Sequence, residues 1–276
     1  MGSAIKLYND VSTKCSELIT KNYSTSFSLG IYTLDKRIHK DIYNIYGFVR
    51  FADEIVDTFH DLDKEKYLNK FEEETFLSIK ENFSANPVLH AFQLTVNRFN
   101  IDEKHIKAFL DSMRMDLSMK NFNREEYKKY IYGSAEVVGL MCLKVFCNNE
   151  KTYNELEKYA ISLGSAFQKV NFLRDIKSDY DERGRVYFPN VEFNTFTNEQ
   201  KNDIEEDIEE EFNHALLGIK KLPTVARKGV YLSYNYYREL LNKIKNLDHK
   251  KIKSDRIRVS NFKKFIIFLS TYLNPI

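Results

Sequence analysis

Only four prolines (Pro87, Pro189, Pro223 and Pro275) and nine glycines interrupt this chain of 276 residues. Proline breaks a helix interior and glycine weakens it, so this scarcity predicts long uninterrupted helices. Apolar residues recur at helical spacing, and alternating strand patterns are nearly absent. From Ile42 to Phe59, one face is formed by Ile42, Ile45, Phe48, Val49, Ala52 and Val56. From Tyr153 to Ile176, Leu156, Tyr159, Ala160, Leu163, Phe167, Val170 and Leu173 do the same. The reading is an all-α, single-domain helical bundle over residues 1–276, with about eight to twelve helices at ordinary helix and loop lengths. Asn82 to Pro87 reads as a short turn, and Asp181 to Asn198 as a loop after a long helix. The acidic segment Glu199–Glu211 and the basic segment His249–Arg258 read as solvated helix faces.

Several function classes drop out. The net charge is +2 and no nucleic-acid motif occurs, so no nucleic-acid partner is expected. Cys15, Cys142 and Cys147 are too few for a disulfide framework and lack the partners of a zinc site. That usage fits a reducing cytoplasm. No apolar run reaches the ~18–20 residues of a membrane span, and the first residues hold no secretory signal.

Two helices carry polar stripes in apolar company. Tyr46, Arg50, Asp53 and Asp57 follow gaps of four, three and four, which places them on one helix face among Phe48, Val49, Ala52, Ile55 and Val56. Gln168, Asn171, Asp175 and Asp179 follow gaps of three, four and four, with Arg174 at the edge, among Phe167, Val170, Phe172, Leu173 and Ile176. Surface ion pairs would account for one such stripe. Two in one chain, each with aspartates one turn apart, point to a shared site.

Magnesium takes oxygen ligands and is bound through one or two carboxylates plus substrate phosphates. Aspartates one turn apart, opposed by two more on another helix, suit that ion and a diphosphate leaving group. Arg50 and Arg174 add forked donors that match phosphate oxygens. Magnesium is the expected cofactor, with manganese as its substitute. No dinucleotide fingerprint is visible, so no nicotinamide is expected.

The segment FVRFADEIVDTF resembles the first aspartate-rich motif of the squalene/phytoene synthase family, and SAFQKVNFLRDIKSDYDERGRVYFP its second motif with the following flap. SMRMDLSMKNF, YKKYIYGSAEVVGLM, YYRELLNKI and RIRVSNFKK extend the resemblance over roughly Tyr23 to Lys264, and MRMDL with RGRVYFP looks most like phytoene synthases. The resemblance implies a helical fold around a central cavity. It implies that Asp53, Asp57, Asp175 and Asp179 hold magnesium, with Asn171 as a further ligand. It implies diphosphate contacts from Tyr23, Ser24, Ser26, Tyr46, Arg50, Gln168, Arg174, Tyr237 and Arg256. Arg50 and Tyr132 join the four aspartates as catalytic residues, and Arg183, Arg185 and Tyr187 are expected on a flap over the site.

The chain departs from relatives at Tyr23, where many have a basic residue or Asn, and at Glu136, where Gly is common. Glu136 would narrow the pocket, pair with a lysine or face solvent. The implied reaction is head-to-head condensation of two geranylgeranyl diphosphates to phytoene through a cyclopropyl diphosphate. The alternatives are farnesyl diphosphate condensation to dehydrosqualene or hydroxysqualene, and a non-catalytic assembly factor with the same fold. The final proton acceptor is a released diphosphate or a pocket tyrosine. Squalene synthases usually add a membrane-anchoring tail, and this sequence ends at Ile276 without one. The run Lys250, Lys251, Lys253, Arg256, Arg258 followed by Phe262, Phe265, Ile266, Ile267 and Phe268 suggests peripheral contact with the inner face of a membrane, with core packing as the plainer reading. The oligomeric state is not legible.

Overall fold

A computed structural model describes residues 2–147, 149–254, 256–273 and 276, so Pro275 lies outside the described residues. The helices are α1 (Gly2–Tyr23), α2 (Thr25–Tyr32), α3 (His39–Asp57), α4 (Lys64–Glu81), α5 (Pro87–Phe99), α6 (Glu103–Ser118), α7 (Arg124–Ile131), α8 (Val137–Phe146), α9 (Glu150–Arg183), α10 (Asn198–Ile219), α11 (Thr224–Lys245), α12 (His249–Ile252) and α13 (Asn261–Leu273). A 3-10 turn (Lys36–Ile38) precedes α3, and a π turn (Tyr132–Glu136) joins α7 to α8. Among the described residues the extended structure is one isolated parallel bridge, Asn121 to Val186. The all-α expectation holds. Thirteen segments exceed the eight to twelve expected because the π turn divides one bent rod in two and α12 is a four-residue turn.

Local chemistry sets the boundaries. Asp63, Asn86, Asp102, Asn123, Asn149 and Thr197 each accept a backbone N–H at a helix start, with Pro87 at the first turn of α5. The turn at Asn82–Pro87 is as expected, with Asn82 left-handed at φ 58°. α9 runs to Arg183, slightly beyond the expected loop start. It stops where Gly184 adopts φ +63°, a conformation glycine enters without steric cost.

α3 is the central rod, packed against α1, α4, α5, α6 and α8. Its Phe48 is fully buried and stacks on Phe92 with ring centroids 3.9 Å apart, flanked by Phe71 and Phe109. α9 packs against α8, the π turn, α10 and α11. At Gly164 a Cβ would come within 2.9 Å of the Ala135 carbonyl oxygen, so glycine permits this close approach of α9 to the π turn. Because α9 and α11 both cover α10, its acidic segment is not simply a solvated face. Lys201 and Glu205 form a buried ion pair, and Glu211 binds Lys169 and Ser165. Burial makes pairing obligatory there.

Candidate functional site

Neither polar stripe is a fully exposed face. On α3, Tyr46, Arg50, Asp53 and Asp57 are half-buried, while Ile45, Phe48, Ala52 and Val56 between them are buried. On α9, Gln168, Asn171, Arg174 and Asp175 are half-buried and Asp179 is buried. α3 and α9 make no extensive backbone contact among the described residues. Long side chains span the gap instead.

The central bridge is Arg183, whose guanidinium lies 3.0 Å from Asp57 Oδ2 and 3.0 Å from Asp179 Oδ1. One cation thus joins the two aspartate-bearing helices. Asp175 is held by Arg174 beside it and by Arg256 Nε at 2.8 Å. Arg50 pairs with Glu54 and stands 3.7 Å from Asp53. The Tyr237 hydroxyl donates to Asn171 Oδ1 at 3.2 Å, and the Tyr237 ring stacks on Phe167 at 3.9 Å. Tyr46 stacks on Phe27 at 4.6 Å. Five predicted polar groups from distant segments (Asn171, Arg174, Asp175, Tyr237 and Arg256) therefore meet at one edge of α9.

The electrostatics show what the cluster lacks. Burial pushes the Asp53 carboxyl up to about 7 against the pull of Arg50, and Asp57 adds to the rise. Burial also pushes Asp179 up to about 7, with Asp175 adding and Arg183 opposing. Asp53 keeps 32% of its side chain accessible, so a ligand can reach it. Among the described residues no three His, Cys, Asp or Glu side chains converge as a ready cation cage. The donor set nevertheless fits a hard divalent cation. It is all oxygen, it draws on two helices, and its buried carboxylates want more positive charge than the arginines supply.

A sequence profile of the squalene/phytoene synthase family matches residues 20–263. The chain belongs to the squalene/phytoene synthase family. It is 24% identical to a 4,4'-diapophytoene synthase of Staphylococcus haemolyticus (strain JCSC1435), over 91% of this chain and 92% of that protein. It is 30% identical to a chloroplastic phytoene synthase of an Oncidium hybrid cultivar, over 94% and 67%. Among solved structures it matches a dehydrosqualene synthase in complex with ligand at TM-score 0.82 and 23% identity, covering 97% of each chain. A squalene synthase of Alicyclobacillus acidocaldarius matches at TM-score 0.76 and 19% identity, over 86% and 94%.

Not every residue expected from the family pattern reaches the aspartates. Tyr23 lays its ring under Arg50, with the guanidinium carbon 4.4 Å from the centroid, so it supports a cation where relatives often carry one. Ser24 caps α2 by accepting the Phe27 N–H. Ser26 lines a hollow of about 370 Å³ with Thr25, Leu29, Asn261, Lys264, Phe265 and Phe268. A larger hollow of about 460 Å³ is lined only by Asp63 and residues of α4, and is a surface feature. The charges acting most on Tyr132 are Lys104 and Glu136, not the aspartate pairs. Glu136 is pushed up to about 7 by burial, with Glu211 adding and Lys169 opposing. It is half-buried rather than fully exposed to solvent.

Of the three expected flap residues, only Arg183 spans the site. Arg185 and Tyr187 are buried on Asp116, where Tyr130 also bonds. The sequence offered one signal for Asp116. It follows Met113 by three on the face that buries Ile106, Phe109 and Leu110. Lys64 is a further cation near the first pair, its Nζ donating to the Val56 carbonyl at 2.6 Å.

α8 and α9 also carry apolar side chains that are not fully buried. Val138, Cys142, Ala160, Leu163 and Phe167 on α8 and α9 are half-buried. Burial pushes the Cys142 thiol up to about 12, and the residue packs against the hydrophobic core.

Proposed function

We propose that this protein condenses two geranylgeranyl diphosphates head to head to phytoene, through a cyclopropyl diphosphate, with release of diphosphate. The observation that carries the proposal is the pair of aspartate stripes on α3 and α9, bridged by Arg183 and ringed by Arg50, Arg174 and Arg256 in a family member. Asp53, Asp57, Asn171, Asp175 and Asp179 would hold magnesium, which when bound neutralises diphosphate and makes it a better leaving group.

The chain's own residues do the rest. The arginines that pair with carboxylates here turn their forked donors to phosphate oxygens in the loaded site. Phe27, Tyr46, Phe167 and Tyr237 present stacked aromatic faces that stabilise an allylic cation. The half-buried apolar side chains Val138, Cys142, Ala160 and Leu163 would receive the isoprenoid tails and exclude water from the cation.

A second reading is condensation of farnesyl diphosphate to dehydrosqualene, supported by the likeness to a dehydrosqualene synthase. The test is incubation with magnesium and each diphosphate singly, followed by extraction. A forty-carbon hydrocarbon (two twenty-carbon units) lost with EDTA supports the proposal. A thirty-carbon hydrocarbon from farnesyl diphosphate alone favours the second reading, and no hydrocarbon from either overturns both.

Contact with an anionic bilayer belongs to the same proposal. No helix among the described residues is long and apolar enough to cross a membrane. α13 exposes Phe262, Phe265, Ile266, Leu269 and Leu273, and it follows the basic run in sequence. The core-packing reading holds only for Ile267 and, in part, Phe268. Flotation with anionic liposomes, lost in Phe262→Ser/Phe265→Ser, checks the contact, and absence of flotation by the wild type contradicts it.

A further inference from the structure

We infer that Asp116 is a positioning residue for diphosphate binding, a buried post that ties down residues 184–188 so that Arg183 stands between the two aspartate pairs. The inference rests on the function proposed above and concerns a residue outside both aspartate pairs.

Asp116 lies near the end of α6 and is 8% exposed. Its Oδ1 pairs with Arg185 Nη1 at 3.0 Å and accepts the Tyr187 hydroxyl at 3.3 Å. Its Oδ2 accepts the Tyr130 hydroxyl at 2.8 Å, and its backbone carbonyl accepts Arg185 Nη2. Both sides of the carboxylate are thus filled by donors that are themselves buried.

The strap is fastened along its length. Val186 N donates to the Lys120 carbonyl at 3.0 Å. Tyr187 stacks on Phe172 at 4.1 Å and packs against Phe122 and Tyr130. Arg185 N donates to the Asp179 carbonyl at 3.0 Å, so the strap also caps α9 at a residue of the second aspartate pair.

Arg183 sits between two fixed points, the end of α9 and the anchored Arg185. Its side chain reaches Asp57 and Asp179. With the backbone on both sides held, little conformational freedom remains to be lost when the guanidinium engages an anion. Arg185 performs a different task from Arg183. It neutralises Asp116, whose charge would otherwise add to the repulsion felt by Asp53 and Asp57.

The test is a double-mutant cycle on the full chain. Binding of magnesium pyrophosphate is measured by calorimetry, and KM and kcat with prenyl diphosphate are measured alongside. The variants are Asp116→Asn, Arg183→Gln and the two combined. Asp116→Asn is expected to weaken magnesium pyrophosphate binding and raise KM about tenfold, the scale of one charge-assisted contact. Arg183→Gln is expected to do the same, and the double variant to be no worse than Arg183→Gln alone, since Asp116 acts through Arg183. Multiplying effects overturn the inference, because a merely structural post would act independently of Arg183. Unchanged affinity in Asp116→Asn also overturns it. If Asp116→Asn does not fold, Tyr187→Phe removes one donor and keeps the charge pair, and the same non-additivity with Arg183→Gln is expected. A wild type that binds no magnesium pyrophosphate overturns the functional proposal together with this inference. A wild type that binds, beside an Asp116→Asn that binds equally, overturns this inference alone.

Discussion

Asp179→Asn should stabilise the metal-free protein at alkaline pH. Burial raises the Asp179 carboxyl from 3.8 to about 7 in the folded state, with Asp175 adding to the rise. A carboxyl whose folded pKa is raised contributes stability that is fully present below about 3.8 and is lost as pH rises through about 7. At about pH 8 the folded protein therefore carries a disfavoured charge that costs about 4 kcal/mol at most. Asparagine removes that charge and weakens the bond to Arg183, at 3.0 Å in the wild type. The pull of that bond is already contained in the raised value, so it is not subtracted again. The net expectation at about pH 8 is a gain of up to about 4 kcal/mol, or roughly 8 °C in Tm for a chain of this size. At about pH 5.5 the folded wild type is already protonated at Asp179, and the advantage shrinks by about 2 kcal/mol, to about half. Melts in EDTA at both pH values, wild type against Asp179→Asn, measure the difference. An equal shift at both pH values, or a lower Tm for the variant at about pH 8, refutes the reasoning.

Three further outcomes follow from the packing. Phe48→Ala removes a fully buried ring stacked at 3.9 Å on Phe92 and should cost about 3–5 kcal/mol in urea unfolding. Gly184→Ala forces a side chain onto φ +63° and should cost about 1–2 kcal/mol, read as a lower Tm. Glu205→Leu alone strands Lys201, 2% exposed, and should cost about 3 kcal/mol, whereas Glu205→Leu with Lys201→Met should restore most of it, as checked by denaturant midpoints.

The fold class and both aspartate stripes were legible because they are local. Residues three and four apart share a helix face whatever the tertiary structure, and Asn82, Asn86 and Pro87 announce their own turn. Long-range pairings were not legible. Asp116 stood in a quoted segment, yet its partners Arg185 and Tyr187 lie about seventy residues away, and only the folded chain brings them together. The same limit hid that Arg185 and Tyr187, expected on a flap over the site, are buried against Asp116. The acidic run of α10 misled for a related reason. Charge density along a sequence does not reveal that α9 and α11 will cover one side of the helix and force Lys201 onto Glu205. Tyr23 and Glu136 showed only as departures from relatives, and their roles beside Arg50 and Lys169 needed the packing of α1 and of the π turn.

The central claim is that the two aspartate helices cooperate to join two prenyl chains. The most direct measurement is a single-turnover reaction with magnesium and geranylgeranyl diphosphate, quenched at short times and analysed for both products and released diphosphate. A cyclopropyl diphosphate is expected to appear with one equivalent of released diphosphate and then to decay to phytoene, and to be absent in Asp57→Ala and in Asp179→Ala. Release of diphosphate with only a prenyl alcohol, and no new carbon–carbon bond, would contradict it.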